Sequence, residues 1–428
     1  MASIVPILAH AFPPENITGA QRPFRFFKYL RRAGFETHAV CARPDLEPAE
    51  FVHRVPAASR RRVVAIQSEL LRLAQRFALP YNDELPWVPH AVAKVEELLE
   101  TGRVAAVIST FPPVATHAAG LWLARKHGVR WIADYRDPHV DNPFRTRKWL
   151  FNYDWRMERA IFKSASVVVA NTDAAAGIWK NRYPEFAAKL HVIWNGFDPE
   201  SPLEPAPRGT SPVLTIAHVG TLYGGRHPGL FLESLERLFA AGGLDPAATR
   251  VELTGPVDDA AAAGCRDVVA RLSTRGIVAM TDRAVPQALA NAGMAAADML
   301  LMLDINDRET SVQVPAKLFD YARTGRPILA FTSAGSPLAH ILRKAGIDCA
   351  LIHREAAPAD VDRIVGEFIG RGRRPSQANE WFWNTFDGQR QAMALARIIG
   401  DPGTGRNGVL EQCPEKGDAV LAGPDTIG

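Results

Sequence analysis

Short apolar runs alternate with amphipathic stretches from residue 4 to residue 352. The runs Ile4–His10, Thr37–Cys41, Ala105–Ser109, Arg130–Ala133, Ser166–Ala170 and His191–Trp194 predict strands. Between them, Phe24–Ala33, Val114–Lys126, Trp149–Lys163 and Ala174–Asn181 repeat apolar residues at helical spacing. A second series follows, with strands at Thr215–Val219, Arg250–Leu253, Ile277–Met280, Met299–Leu303, Ile328–Phe331 and Cys349–Ile352. Its helices include Pro228–Ala240, Val285–Ala295 and Ser336–Lys344. Alternation of this kind predicts parallel sheets covered on both faces. The expected fold class is α/β, with two Rossmann-like domains facing across a cleft. The first spans 1–198; a Pro-rich linker, 199–212, carries Pro199, Pro202, Pro205, Pro207 and Pro212; the second spans 213–378. Residues 379–400, rich in Trp and Phe, predict a closing helix packed across both domains. From 401 to 428 Gly and Pro recur without period, which predicts a disordered tail.

Composition narrows the class. At 428 residues the chain exceeds one ordinary core, and its 47% apolar and 22% charged shares are those of a globular protein. No run approaches the roughly 18 apolar residues of a membrane span. Met1–Phe12 is apolar but has no basic start or small-residue cleavage site, so it reads as a first strand. Cys41, Cys265, Cys349 and Cys413 are far apart, which argues against a disulfide framework and for a reducing cytosol.

Charge is asymmetric. Residues 1–198 hold 27 Lys and Arg against 19 Asp and Glu, although the whole chain nets only +4. A basic first half suits an anionic partner, such as a phosphate-bearing acceptor or an acidic bilayer face, or is merely a solvated surface. Two basic amphipathic helices are candidates for bilayer contact, one carrying Arg22, Arg25, Lys28 and Arg32, the other at Ser59–Leu79. Core packing of their apolar stripes is the competing reading. The expected location is cytoplasmic, with peripheral contact at the inner membrane face. Nothing interleaves the basic residues as a nucleic-acid reading motif would.

The most informative segment is 300–331. A buried strand, a polar loop, the turn Val314-Pro315-Ala316 and a helix over Lys317–Thr324 lead to Gly325, which supplies a left-handed stop. Asp320 on that helix can take both hydroxyls of a ribose, and the loop above can hold phosphate. Gly220, Gly224, Gly225 and Arg226 lie between a strand and a helix, where small residues let backbone approach phosphate oxygens. A plain turn with a surface Arg226 is the alternative. Lys317 is a second cation at the start of the Asp320 helix, or a solvated lysine. In the first half, Gly19 closes the loop after the first strand, and Arg22 follows it near the start of a helix. Asp134, Arg136 and Asp137 lie just past a strand end, where α/β sheets place ligands. Asp137 is the candidate to orient an acceptor hydroxyl or act as base, with Arg22, Asp134 and Arg136 around the acceptor. An Arg136–Asp pair bracing the loop is the rival reading. The Asp-x-x-Asp spacing lacks further ligands, so no metal site is expected.

Together these motifs resemble the retaining glycosyltransferases of the GT-B fold, in particular glycosyltransferase family 4. The pieces, in order, are Phe12-Pro13-Pro14 with Gly19-Ala20-Gln21-Arg22, then Ser109-Thr110-Phe111-Pro112-Pro113 with Thr116-His117, then Ala133 to Pro138. Asn171-Thr172, Asn195-Gly196-Phe197-Asp198, His218-Val219-Gly220 and Pro315-Ala316-Lys317-Leu318-Phe319-Asp320-Tyr321 leading to Gly325 complete it. The resemblance implies transfer of a hexose from a nucleotide diphosphate sugar to a hydroxyl of a glycan or lipid-linked glycan, with retention and without metal or other cofactor. The donor would lie on the second domain and the acceptor on the first. It implies donor contacts from Gly19, Gly220, Arg226, Lys317, Leu318 and Asp320, with Arg226 against the diphosphate, and a transition-state role for His117. His117 as a packed helix residue is the alternative.

Two departures stand out. The family often has a second basic residue where this chain has Thr221, and its first acid would fall at Val312, leaving Glu309 or Asp307 to reach the sugar. A nucleotide-sugar 2-epimerase shares the architecture but needs a denser set of acid–base groups. A non-catalytic nucleotide-sugar or glycan binder would account for both departures.

Overall fold

The structure is a computed structural model that describes residues 2–15, 17–47, 49–56, 84–140, 151–203, 211–304, 314–333, 335–353 and 355–400. The expectations placed on Ser59–Leu79, on Asp307, Glu309 and Val312, on Pro205 and Pro207, and on the 401–428 tail lie outside these residues.

Two parallel sheets form, each from one of the two apolar series. The first takes β1 (Ile4–Leu8), β2 (Glu36–Cys41), β3 (Val52–Arg54), β4 (Val107–Phe111), β5 (Trp131–Tyr135), β6 (Val167–Ala170) and β7 (Leu190–Val192) in the order β3-β2-β1-β4-β5-β6-β7. The second takes β8 (Leu214–Val219), β9 (Thr249–Thr254), β10 (Val278–Thr281), β11 (Met299–Leu303), β12 (Ile328–Phe331) and β13 (Cys349–Ile352) in the order β10-β9-β8-β11-β12-β13. Every ladder is parallel, and β1, β4, β5, β6, β11 and β12 are buried along their whole length. That burial is why their sequences read as continuous apolar runs. The strand the pattern did not predict is β3. It has three half-buried residues, and its place is set by pairing with β2, where Ala39 meets Val52.

In each sheet the order reverses next to its first strand, between β1 and β4 and between β8 and β11. Ligands of open α/β sheets bind beyond the carboxyl ends of the strands at such a switch point. Helix caps fix the flanking turns. Thr172 accepts from the Ala175 N–H at 3.1 Å, and Ser336 accepts from the Ala339 N–H at 3.0 Å.

The closing segment is two helices, Glu380–Phe386 and Gly388–Gly400, rather than one. Asp387 divides them because its carboxylate accepts the N–H groups of Gln389 (2.7 Å) and Arg390 (3.0 Å), starting a new helix. Phe382 and Phe386 pack into the second core beside Leu318 and Phe319. Ala392, Leu395, Ile398 and Ile399 pack into the first, over the helix Thr18–Arg32. That contact corrects the bilayer reading of Thr18–Arg32, whose Arg22, Arg25, Phe26, Tyr29 and Leu30 are all buried. The linker's first residues are pinned too. Ser201 C=O accepts from Arg323 and Pro202 C=O from Asn291.

Candidate active site

The carboxyl edge of the first sheet is built around two arginines. Arg136 donates to the carbonyls of Gly19, Pro112 and Phe111, so it staples the loop after β1 to the loop after β4. A Cβ on Gly19 would stand 2.8 Å from Arg136 Nη1, and the absence of a side chain there makes room for the staple. Arg22 and Asp134 form a buried pair, 2% and 1% exposed, with Nη2 and Oδ1 2.7 Å apart. Arg22 also donates to the carbonyls of Trp194 (2.7 Å) and Ile193 (2.8 Å), and Thr110 donates to Asp134 at 3.0 Å. All three residues proposed to surround the acceptor are therefore spent on the protein. Their place is to brace the edge, and Asp134 is paired with Arg22 rather than Arg136.

His117 is likewise behind the edge. It is fully buried among Phe111, Trp131 and Tyr135, with the Tyr135 ring centroid 4.4 Å away. Ser109 Oγ lies 2.7 Å from its Nδ1 and accepts the Trp131 indole N–H at 2.8 Å. Burial, then the nearby His139 and Arg136, push its pKa well below the usual histidine range. It is a neutral core imidazole that supports β4, which corrects the expectation of a transition-state contact.

Asp137 differs from all of these. Half-buried past the end of β5, its carboxylate makes no hydrogen bond or ion pair with the described residues. Burial raises its pKa to about 6, opposed by Arg136 and by Arg226 from the second lobe. Asp137 in turn helps to raise the pKa of the Tyr223 phenol, after burial, so charges of the two lobes are felt across the site.

On the second lobe Arg226 is 7% exposed and points inward, its guanidinium over the Tyr223 ring and bonded to the Tyr223 hydroxyl. Asp304 lies 3.4 Å from its Nη2, and its buried Nε has no partner among the described residues. Asp304, at the end of β11, also accepts from Thr332 at 2.9 Å. The sequence reading missed it, although an acid directly after an all-apolar strand was a usable signal. A pocket lined by Gly225, His227, Asp304 and Phe331 opens beside Arg226.

Lys317 comes within 3.1 Å of His218 Nε2, whose Nδ1 sits 2.9 Å from the Leu301 carbonyl. Since a carbonyl only accepts, Nδ1 carries the proton and Nε2 accepts from lysine. Burial first, then Arg226, lowers the Lys317 pKa to about 7. The ammonium lies 2.7 Å from where a Cβ on Gly220 would be, and Gly220 has φ 134°, so that position admits no side chain. Asp320 keeps 34% of its side chain open to solvent, 3.7 Å from Arg323. Burial raises its pKa, while Arg323 and Arg25 hold it down. Leu318 is corrected. Its side chain is fully buried in the core and its N–H is bonded to the Pro315 carbonyl.

The comparisons agree with this architecture. The Glycosyltransferase Family 4 model matches residues 23–201. A structure of Anabaena HepE with UDP and glucose is similar over 93% of this chain and 96% of its own, at TM-score 0.56 and 14% identity. A glycosyltransferase from Rickettsia africae is similar over 94% and 99%, at TM-score 0.60 and 11% identity. No curated protein matches. The match covers less than half of the chain, and the solved structures share its fold. A UDP-GlcNAc 2-epimerase from Methanocaldococcus jannaschii shares the fold, over 93% and 99% at TM-score 0.53 and 9% identity.

Among the described residues, the edge of the first sheet presents the Asp137 carboxylate without a partner, and the edge of the second presents Arg226, Lys317 and the part-exposed Asp320. Among the described residues no three His, Cys, Asp or Glu side chains group as metal ligands would. No described helix is long and apolar enough to cross a membrane.

Proposed function

We propose that this chain is a glycosyltransferase of family 4 that moves a hexose from a nucleotide diphosphate sugar to a hydroxyl of a glycan or lipid-linked glycan, with retention and without a metal ion, in surface polysaccharide synthesis on the cytosolic side of a membrane. Asp320 takes the ribose hydroxyls, and Arg226 with Lys317 takes the diphosphate. The bond from the anomeric carbon to the diphosphate oxygen breaks as the acceptor oxygen bonds to that carbon. Asp137 receives the acceptor proton, and the nucleoside diphosphate leaves with the bonding electrons. Fixed cations that face developing charge in a site shielded from water are worth most at that moment.

The observation that carries the reading is Asp137, whose carboxylate has no partner among the described residues and feels the charge of Arg226, whose Nε has none among them either. A carboxylate whose pKa burial raises to about 6, with cations of both lobes acting on it, suits a base poised for neutral pH.

The test is a thermal-shift screen with UDP-, GDP- and ADP-sugars, followed by nucleotide release with glycan acceptors and assignment of the product anomer by NMR. A matching donor at about 100 times its dissociation constant adds about 2.7 kcal/mol of stability. Arg226→Ala and Asp320→Ala should lose both the shift and turnover. A binder without activity would give the shift alone. Conversion of a UDP-sugar to its epimer with no acceptor present would replace transfer with epimerisation.

A further inference from the structure

Asp137 stands between two points at which side chains grip the backbone. On the strand side, Arg136 donates its N–H to the Phe111 carbonyl at 2.9 Å, and its own carbonyl accepts from Asn171. On the far side, the Val140 N–H donates to Glu158 Oε2 at 3.1 Å. Pro138 follows Asp137 directly and disfavours helical backbone there. Since the Asp137 carboxylate has no partner among the described residues, its place is set by the backbone that carries it. Glu158, on the helix Phe151–Ser164, is fully buried and has no part in the transfer chemistry described above. Its second oxygen, Oε1, accepts from the Tyr183 hydroxyl at 3.0 Å and from Arg182 at 3.4 Å. Taking a carboxylate out of water costs free energy, and an apolar side chain of similar size would often pack there more favourably. What an apolar side chain lacks is an acceptor for the Val140 N–H. Val140 is only 4% exposed, so water is a poor substitute.

We propose that Glu158 is a positioning residue for the transfer: Tyr183 and Arg182 anchor one of its oxygens, and the other holds the Val140 N–H so that the Asp137 carboxylate keeps its place in the site. The inference rests on the reading of Asp137 as the base. Glu158 acts through the backbone of Val140, and its reach matters more than its charge. The charges that act on Asp137 itself are those of Arg136 and Arg226, and the Tyr223 phenol feels Asp137 in turn. Burial is the larger influence on Asp137 and raises its pKa to about 6. Without the bond to Val140 the loop is held at its strand side and by the His139 ring, which packs edge-on against Phe111 with centroids 5.1 Å apart and lies 3.6 Å from Asp154. A loop released towards water takes Asp137 out of its buried setting, and its pKa then falls towards the ordinary aspartate range.

The test separates reach from charge. The full chain, isotope-labelled at its aspartate carboxyls, is titrated by NMR without ligand, and the Asp137 signal is assigned by its loss in Asp137→Asn. Turnover is followed as nucleotide release from whichever UDP-, GDP- or ADP-sugar stabilises the wild type. Glu158→Met should lower the Asp137 midpoint by about one pH unit or more and carry the acidic limb of kcat/KM with it. Its kcat should fall by about 10–10²-fold while the donor-induced thermal shift persists. Glu158→Asp keeps the charge but is one methylene short of spanning Tyr183 and Val140, so its midpoint should fall as well. It serves as the second arm should the Met variant not fold. Glu158→Gln loses the charge but keeps the reach, because its amide oxygen accepts from Val140 and its NH2 group donates to the Tyr183 oxygen. Its midpoint should stay in place and its kcat within about fivefold of wild type. A midpoint that falls in Gln and Met alike but not in Asp is electrostatic and overturns the inference. So do Met and Asp variants with the wild-type midpoint and kcat, and if Asp137→Asn is inactive the transfer reading still stands. Full turnover by Asp137→Asn removes the base reading and this inference with it.

Discussion

The first sheet's carboxyl edge spends its arginines on the protein, with Arg22 locked to Asp134 and two carbonyls and Arg136 locked to three. The second sheet's edge holds Arg226, beside Tyr223 and Asp304 but with its Nε unpartnered among the described residues, and Lys317 against the neutral His218. The same residue types at the same topological place thus end in opposite states. A buried guanidinium with all donors satisfied fixes geometry but has nothing left for a ligand. One with a donor unsatisfied is costly to hold in the empty protein and gains most when an anion arrives. In the proposed function the first lobe is the frame that presents Asp137, and the second is the receiver of the anion.

The widest break in that comparison is Asp137→Asn, which removes the one uncommitted carboxylate of the frame. Turnover should fall by about 10²–10⁴-fold while the donor-induced thermal shift persists. Arg226→Gln should lower kcat/KM by about 10²–10³-fold, and here the donor shift should shrink as well. Arg22→Met attacks the frame itself. It leaves Asp134 buried and unpaired, so unfolding stability should drop by about 3–5 kcal/mol in urea titration, with the donor affinity of the surviving folded protein nearly unchanged. If Arg22→Met instead abolishes donor or acceptor binding in folded protein, the division between frame and receiver fails. The smallest effect is the pH profile. Asp137 serves as a base only when ionised, so kcat/KM should rise as pH passes about 6. Lys317 serves as a cation only when protonated, so kcat/KM should fall above about 7. Lys317→Met should erase the alkaline limb and lower the maximum by about tenfold.

Much of the fold was legible because buried parallel strands must be apolar throughout. Met299–Leu303, Ile328–Phe331 and Cys349–Ile352 occur at the residues the apolar pattern named. Val52–Arg54 was not legible, since an edge strand of three half-buried residues carries no such signature. The break at Asp387 went unseen because a Trp- and Phe-rich run reads as continuous until the carboxylate is known to cap the next helix. At the site, Asp137 was named from its position past a strand end, and Arg226, Lys317 and Asp320 from a glycine loop and a helix that resemble the family's donor site. Asp304 was missed as a partner of Arg226 78 positions away in the chain.

The sequence by itself determined which segments become strands, their grouping into two sheets and the loops where ligands would meet them, because burial on both faces leaves a local trace in residue type. Only the tertiary structure decided which charges are spent. Arg22 meets Asp134 across 112 positions and Arg136 meets Gly19 across 117. Whether a guanidinium braces or binds depends on neighbours that distant, and no local pattern records them.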